Sequence, residues 1–119
     1  MEIKRGEVYT VDLIEKDAKG MEISKKRPAV VVQADEWNKR LPSTIVVPTT
    51  SYRPTYVSAG TVVLGEGEIN LEKDSTLLFS QMRSIDKGRL EKRVGKVSAG
   101  KMKEIDKALS LTLGLTPLD

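Results

Sequence analysis

Four residues, Ala29-Val30-Val31-Val32, follow a proline at position 28 and leave the backbone little choice. The run is too short for a self-standing helix, and consecutive valines lose side-chain freedom in a helix while fitting a pleated surface. A continuously apolar strand is one covered on both faces, so this one belongs at the centre of a sheet. Pro28 cannot donate to a ladder, which suits the first position of that strand. A second run, Thr44 to Pro48, reads the same way, with Pro48 stopping it and the hydroxyls of Thr49, Thr50 and Ser51 at its exit. The fold must therefore be built around these two strands.

The rest of the chain supplies more short strands and one helix. Glu7 to Leu13 alternates Tyr9, Val11 and Leu13 against Val8, Thr10 and Asp12, the pattern of a strand with one buried face. Ile14 to Lys26 is charged and contains Gly20, so it reads as a long mobile loop. Ala34 to Leu41 reads as a turn or short helical excursion around Trp37, a residue expected to pack. Ser51 to Tyr56 reads as a loop, Thr61 to Leu64 as a strand, and Gly65-Glu66-Gly67-Glu68 as a turn. Ser75 to Phe79 reads as a strand, Ser84 to Gly88 as a turn or single helical turn, and Leu90 to Val97 as the last strand. Ser98 is then an N-cap for a helix whose Met102, Ile105, Leu109 and Leu113 recur at three- to four-residue spacing before Gly114 and Pro117 end it. Short strands followed by one amphipathic helix predict a mainly β fold, a small, strongly curved antiparallel sheet or partly open barrel with the helix packed on it. With no repeat and no linker, residues 1–119 read as a single domain.

Composition removes several chemistries. The chain has neither cysteine nor histidine. Disulfides, thiolate nucleophiles and Cys-type zinc sites are excluded, and acid–base work must use groups less suited to neutral pH than imidazole. A metal would need carboxylates alone; none is expected, nor is a cofactor. Absent an apolar stretch of signal-peptide or membrane-spanning length, a cytoplasmic protein with no membrane partner is expected. The net charge of +3 is spread evenly between the two halves and does not by itself identify a polyanion partner. Locally, eight basic residues lie between Arg83 and Lys103 against only Asp86 and Glu91, a run that serves equally as a solvated surface.

The candidate functional residues cluster at strand ends. Arg27 precedes a proline, which restricts it to extended geometry and holds its guanidinium at a strand entrance. A fixed guanidinium recognises phosphate bidentately and stays charged at physiological pH, although Arg27 equally fits a surface arginine beside a long loop. Thr49, Thr50 and Ser51 can bond a phosphate or a ribose hydroxyl, or the turn itself. Gln81 and Arg83 follow another strand and offer an amide able to read base edges and a second cation. There is no phosphate loop, Ser/His/Asp set or nucleophile elbow.

Read in order, Lys4-Arg5-Gly6-Glu7-Val8-Tyr9 with Asp12-Leu13, Arg27-Pro28-Ala29-Val30-Val31-Val32-Gln33, Val47-Pro48-Thr49-Thr50 and Gln81-Met82-Arg83-Ser84-Ile85-Asp86 resemble the MazF/PemK family of toxin ribonucleases of type II toxin–antitoxin systems. The resemblance implies an SH3-like β-barrel with helical additions, a homodimer and an antitoxin that wraps over the active surface. It also implies an mRNA interferase: metal-independent, sequence-specific endoribonuclease cleavage of single-stranded RNA. By the same resemblance Arg27 and Thr50 are the catalytic pair, with Gln81, Arg83, Thr49, Ser51 and Arg53 around the substrate. Some relatives carry an acid just before the glutamine; Ser80 stands there, so no carboxylate base is available at that position.

Attack of a ribose 2′-OH on its own phosphate needs in-line geometry, charge stabilisation and proton management, and no enzyme nucleophile. Arg27 would stabilise the phosphorane and Thr50 orient the phosphate. Two other readings compete: a CcdB-like toxin that binds DNA gyrase on the same fold, and a non-enzymatic SH3-like binding module.

Overall fold

The valine-rich run is the hub of the sheet. The computed structural model describes residues 2–13, 26–50, 62–65, 69, 71 and 75–116. Strand β2 (Lys26–Val31) lies between β1 (Glu7–Asp12) and β3 (Ser43–Thr50), antiparallel to both. β1 continues outward to β7 (Leu90–Lys96). The far edge of β3 is divided: residues 43–46 pair with β6 (Arg83–Asp86), whereas Thr49 and Thr50 pair with β5 (Ser75–Leu77), which in turn pairs with β4 (Val63–Leu64). Register shifts at two points of the β1–β7 ladder let the sheet bend, and it curls into a half-barrel. A short helix, α1 (Asp35–Arg40), links β2 to β3, and α2 (Ala99–Thr112) follows β7.

Because side chains alternate along a strand, the two sheet faces bury two separate cores. One holds Val8, Val30, Val47, Leu77 and Phe79 beneath Ile105 and Ala108 of α2. The other holds Tyr9, Val11, Leu13, Ala29, Val31, Val46, Ile85 and Leu90. The expectation of one buried face on β1 is thus corrected: Val8 is as inaccessible as Val11, since the sheet is covered on both sides.

Both prolines sit differently from their sequence reading. Pro28 is the third residue of β2, opposite Thr10, and Pro48 lies inside β3, opposite Ala29. The Pro48 carbonyl accepts from the Leu78 amide at 2.9 Å, so its face of the strand points to the gap where β6 ends and β5 begins. A missing N–H there costs no ladder bond. The stretch from Ser84 to Gly88, expected as a turn or single helical turn, supplies the last three residues of β6 and then enters a 3-10 turn at Lys87–Arg89. Its alternation is too brief to show in sequence, and pairing with β3 decides it. The strand expected to reach Phe79 stops at Leu77, and Phe79–Gln81 is a 3-10 turn.

Helix α2 starts as expected, with the Ser98 hydroxyl accepting from the Lys101 amide at 3.1 Å and Gly114 adopting φ +73 beyond its end. Ile105 is fully buried and Met102 and Leu109 pack beside it, but Leu113, at the C-cap, is 56% exposed. Trp37 is 54% exposed, against the expectation that it packs. α1 is instead held by Asn38, whose amide donates to the Gln33 carbonyl and accepts from Thr44 Oγ1 and Gln33 Nε2. The loop from Ile14 to Lys25, the hydroxyl of Ser51, the loop with Arg53, and residues 66–68 lie outside the described residues.

Candidate active site

Register brings the candidate pair together. In the β2–β3 ladder Val31 faces Val46, Val30 faces Val47 and Ala29 faces Pro48. Continued two residues past Ala29 and Pro48, where the pairing stops, that antiparallel register carries Thr50 toward Arg27. The intermediate step is visible as a hydrogen bond: Thr49 Oγ1 donates to the Pro28 carbonyl at 2.7 Å. Pro28 has no N–H to offer on this side, so the threonine hydroxyl closes the ladder in place of a main-chain bond.

Directly opposed residues share a face. The row therefore runs Val11, Arg27, Thr50, Thr76 across β1, β2, β3 and β5, on the face of the second core. Thr49, one residue away, points to the other face and is 1% exposed. The sequence grouped Thr49 and Thr50 together; the structure sends them to opposite sides of the sheet.

Arg27 is half-buried, and its Nε is fully enclosed with no hydrogen-bond partner among the described residues. Such a donor is costly to leave unmade. Neighbouring Lys26, by contrast, is occupied by an ion pair with Glu91 at 3.2 Å. Arg83, opposite Val46, lies on the same face as Arg27, and its Nη2 donates to the Leu13 carbonyl at 3.2 Å. Leu13 follows Asp12, which pairs with Lys26, so the Arg83 side chain reaches toward the end of β2 that carries Arg27. Gln81 is half-buried and ends the 3-10 turn after β5. That turn is fixed by Gln81 N–H to the Leu78 carbonyl at 3.0 Å and by Leu78 N–H to Pro48, two residues before Thr50. Ser80 in the same turn is exposed.

At the opposite end of β1, Glu7 is a buried carboxylate shared by three donors. It accepts from the Lys4 amide at 2.6 Å, Tyr9 Oη at 3.2 Å and Arg93 Nε at 2.7 Å. Burial would raise its pKa, but the bonds from Arg93 and the Lys4 amide outweigh burial and hold it below the ordinary glutamate value. Burial, reinforced by the Glu7 charge, pushes the Tyr9 phenol up. This cluster ties β1 to β7 and lies apart from the Arg27 row. Among the described residues no group of three or more carboxylates could hold a metal ion.

Residues 4–113 match the family described as PemK-like, MazF-like toxin of type II toxin–antitoxin systems. The chain belongs to this family. It is 37% identical over 122 aligned positions, covering 98% of this chain and 96% of the relative, to the endoribonuclease MazF of Staphylococcus epidermidis. Among solved structures, MazF of Deinococcus radiodurans superposes with a TM-score of 0.77 at 21% identity, covering 96% of this chain and 98% of that one. An endoribonuclease in complex with its cognate antitoxin, from a mycobacterial species, superposes with a TM-score of 0.76 at 24% identity, covering 98% and 99%. At that identity the structural matches establish the fold. The mainly antiparallel half-barrel with a C-terminal helix expected from sequence is the fold of these toxins.

Thr76 is the member of the row that sequence reading did not single out. It sits in the three-residue strand β5 beside Ser75, and no local signal marks its hydroxyl; only the pairing of β5 with β3 brings it opposite Thr50.

Proposed function

We propose that the chain, as a single toxin domain, is an endoribonuclease that cuts single-stranded RNA through the row containing Arg27 and Thr50. What supports this is the register: continued two residues past Ala29 and Pro48, the β2–β3 ladder carries a guanidinium and a hydroxyl 23 positions apart in sequence to one face of the sheet. The relative with 37% identity is an endoribonuclease, which supports RNA as the substrate.

The 2′-oxygen attacks the adjacent phosphorus as its proton leaves; the P–O5′ bond breaks and the 5′-oxygen takes up a proton. The products are a 2′,3′-cyclic phosphate and a 5′-hydroxyl. Arg27 stabilises the charge that grows on the phosphorane oxygens, and Thr50 orients the phosphate. Arg83 and Gln81 flank the row as a cation and an amide for the neighbouring phosphate and base, joined in this reading by Ser51 and Arg53. Thr49 serves that reading only indirectly, by locking β3 to β2. The attack needs no metal. The antitoxin partner follows from family membership, with a complex known for the mycobacterial relative. Among the described residues no helix is long and apolar enough to cross a membrane, which is consistent with action on mRNA in the cytoplasm.

The test is incubation of the purified chain with a long mixed-sequence RNA in EDTA, with mapping of the cut sites and end groups. Cleavage at defined sequences is expected, and Arg27→Ala should slow it on the order of 100- to 1,000-fold, the usual effect of losing one charge-stabilising donor. Intact RNA with the wild-type protein would favour the gyrase-binding alternative instead.

A homodimer fits a second feature. An open groove of about 560 Å³ is lined by Val32, Trp37, Ile45, Met82, Leu109 and Leu113, among others, and of these Trp37 and Leu113 are exposed. Apolar surface of this kind in a soluble protein marks an interface. Light scattering should show a dimer for the wild type and a monomer for Leu113→Glu.

A further inference from the structure

Two buried polar atoms lack hydrogen-bond partners among the described residues, Arg27 Nε and Thr76 Oγ1. They lie in the same row, one on each side of Thr50: Arg27 by the β2–β3 register, Thr76 by the β3–β5 ladder. Elsewhere among the described residues the buried polar side chains are satisfied, as in the Gln33–Asn38–Thr44 network. An unmade bond at a buried hydroxyl costs about 1–3 kcal/mol, and such sites in a folded protein call for a functional reason. A valine at position 76 would fill the same volume, suit a strand and leave no idle hydroxyl.

We infer that Thr76 is a positioning residue for RNA cleavage, its hydroxyl orienting the Thr50 hydroxyl when a phosphodiester occupies the row. Opposed side chains on adjacent strands have β-carbons about 4.5–5.5 Å apart, within reach of a Thr–Thr hydrogen bond. Thr76 is 2% exposed and Thr50 is 9% exposed, so Thr50 is the more accessible of the two and Thr76 acts through it. As the Thr50 hydroxyl turns to donate to a phosphate oxygen, its own oxygen becomes available to accept, and Thr76 Oγ1–H is the donor placed to fill that role. The bond forms with substrate bound, which explains why the hydroxyl is idle without it. This inference rests on the proposed role of Thr50 and Arg27.

The test compares wild type, Thr76→Val, Thr76→Ser and Arg27→Ala as purified full-length chains, on a single-stranded RNA spanning a mapped cut site. Thr76→Val should lower kcat on the order of 10- to 100-fold, the range for a slightly misplaced reacting group, with KM unchanged. Its melting temperature should stay level or rise, because the variant removes an unsatisfied buried group. Thr76→Ser should recover most of the loss. Wild-type kcat in Thr76→Val, an equal loss in Thr76→Ser, or a loss matched by a fall in melting temperature would each overturn the inference. The Arg27→Ala arm separates the two levels: if it cuts like wild type, the parent reading fails, and if it is inactive while Thr76→Val is normal, only the role of Thr76 fails.

Discussion

The two faces of one sheet do different work although the same strands build both. The face under α2 is mainly apolar, from Val8 and Val30 to Val47 and Leu77, and a helix packs on it. The opposite face begins as a core of Tyr9, Ala29, Val31 and Val46, then turns polar at the strand ends, where Arg27, Thr50 and Thr76 share a row. Adjacent threonines show the contrast at its sharpest. Thr49 spends its hydroxyl on the Pro28 carbonyl, whereas Thr50 faces the row with Arg27. The lesson is that strand alternation separates stability from chemistry without needing separate elements, and that the site occupies the part of a buried face where the apolar ladder stops.

If the α2 face is purely structural, Ile105→Ala should destabilise the protein by about 2–5 kcal/mol through the cavity it leaves. Cleavage per folded molecule should be unchanged; a lower kcat in the folded fraction would break the division between faces. The next largest effect belongs to the row: Thr50→Val should reduce kcat on the order of 10- to 100-fold by misplacing the phosphate, with an unaltered melting temperature. Thr49→Val should do the reverse, costing about 1 kcal/mol of stability, the worth of one hydrogen bond, while cleavage persists. Equal kinetic losses in the two variants would show that the faces are not independent.

A last effect, also small, sharpens the comparison at the far end of the second face, where Glu7 alternates with Tyr9 and Val11. Glu7 has a folded pKa below its unfolded one, so its stabilising contribution is present above the unfolded glutamate pKa and is lost as the pH falls through the folded value. Acid titration of stability should show this loss, and Glu7→Gln should remove it, lowering stability at neutral pH by about 1–2 kcal/mol. A Glu7→Gln protein with the wild-type acid limb would mean that the Arg93 and Lys4 bonds do not stabilise the fold.

Much of the frame was legible because local pattern carried it. β1, β2 and β3 announced themselves by apolar content, and α2 by its spacing and the Ser98 cap. What escaped was set by partners distant in sequence. β6 is a strand because Ser43 to Val46 needed a neighbour, and Pro48 runs through β3 because the ladder on that edge changes hands beside it. Trp37 is exposed because a buried asparagine holds its helix in place instead.

The site divides in the same way. Composition alone, with no histidine or cysteine, removed imidazole and thiol chemistry, and the Arg-Pro and Pro-Thr-Thr motifs marked where a guanidinium and hydroxyls stand along the chain. Only the folded sheet decided that Arg27 and Thr50 belong to one face at the same end of neighbouring strands, that Thr49 turns away and that Thr76 joins the row. The physical reason is that a strand fixes which residues alternate, while the face a residue shares and the residue it opposes depend on register, which is chosen by contacts between segments far apart in the sequence.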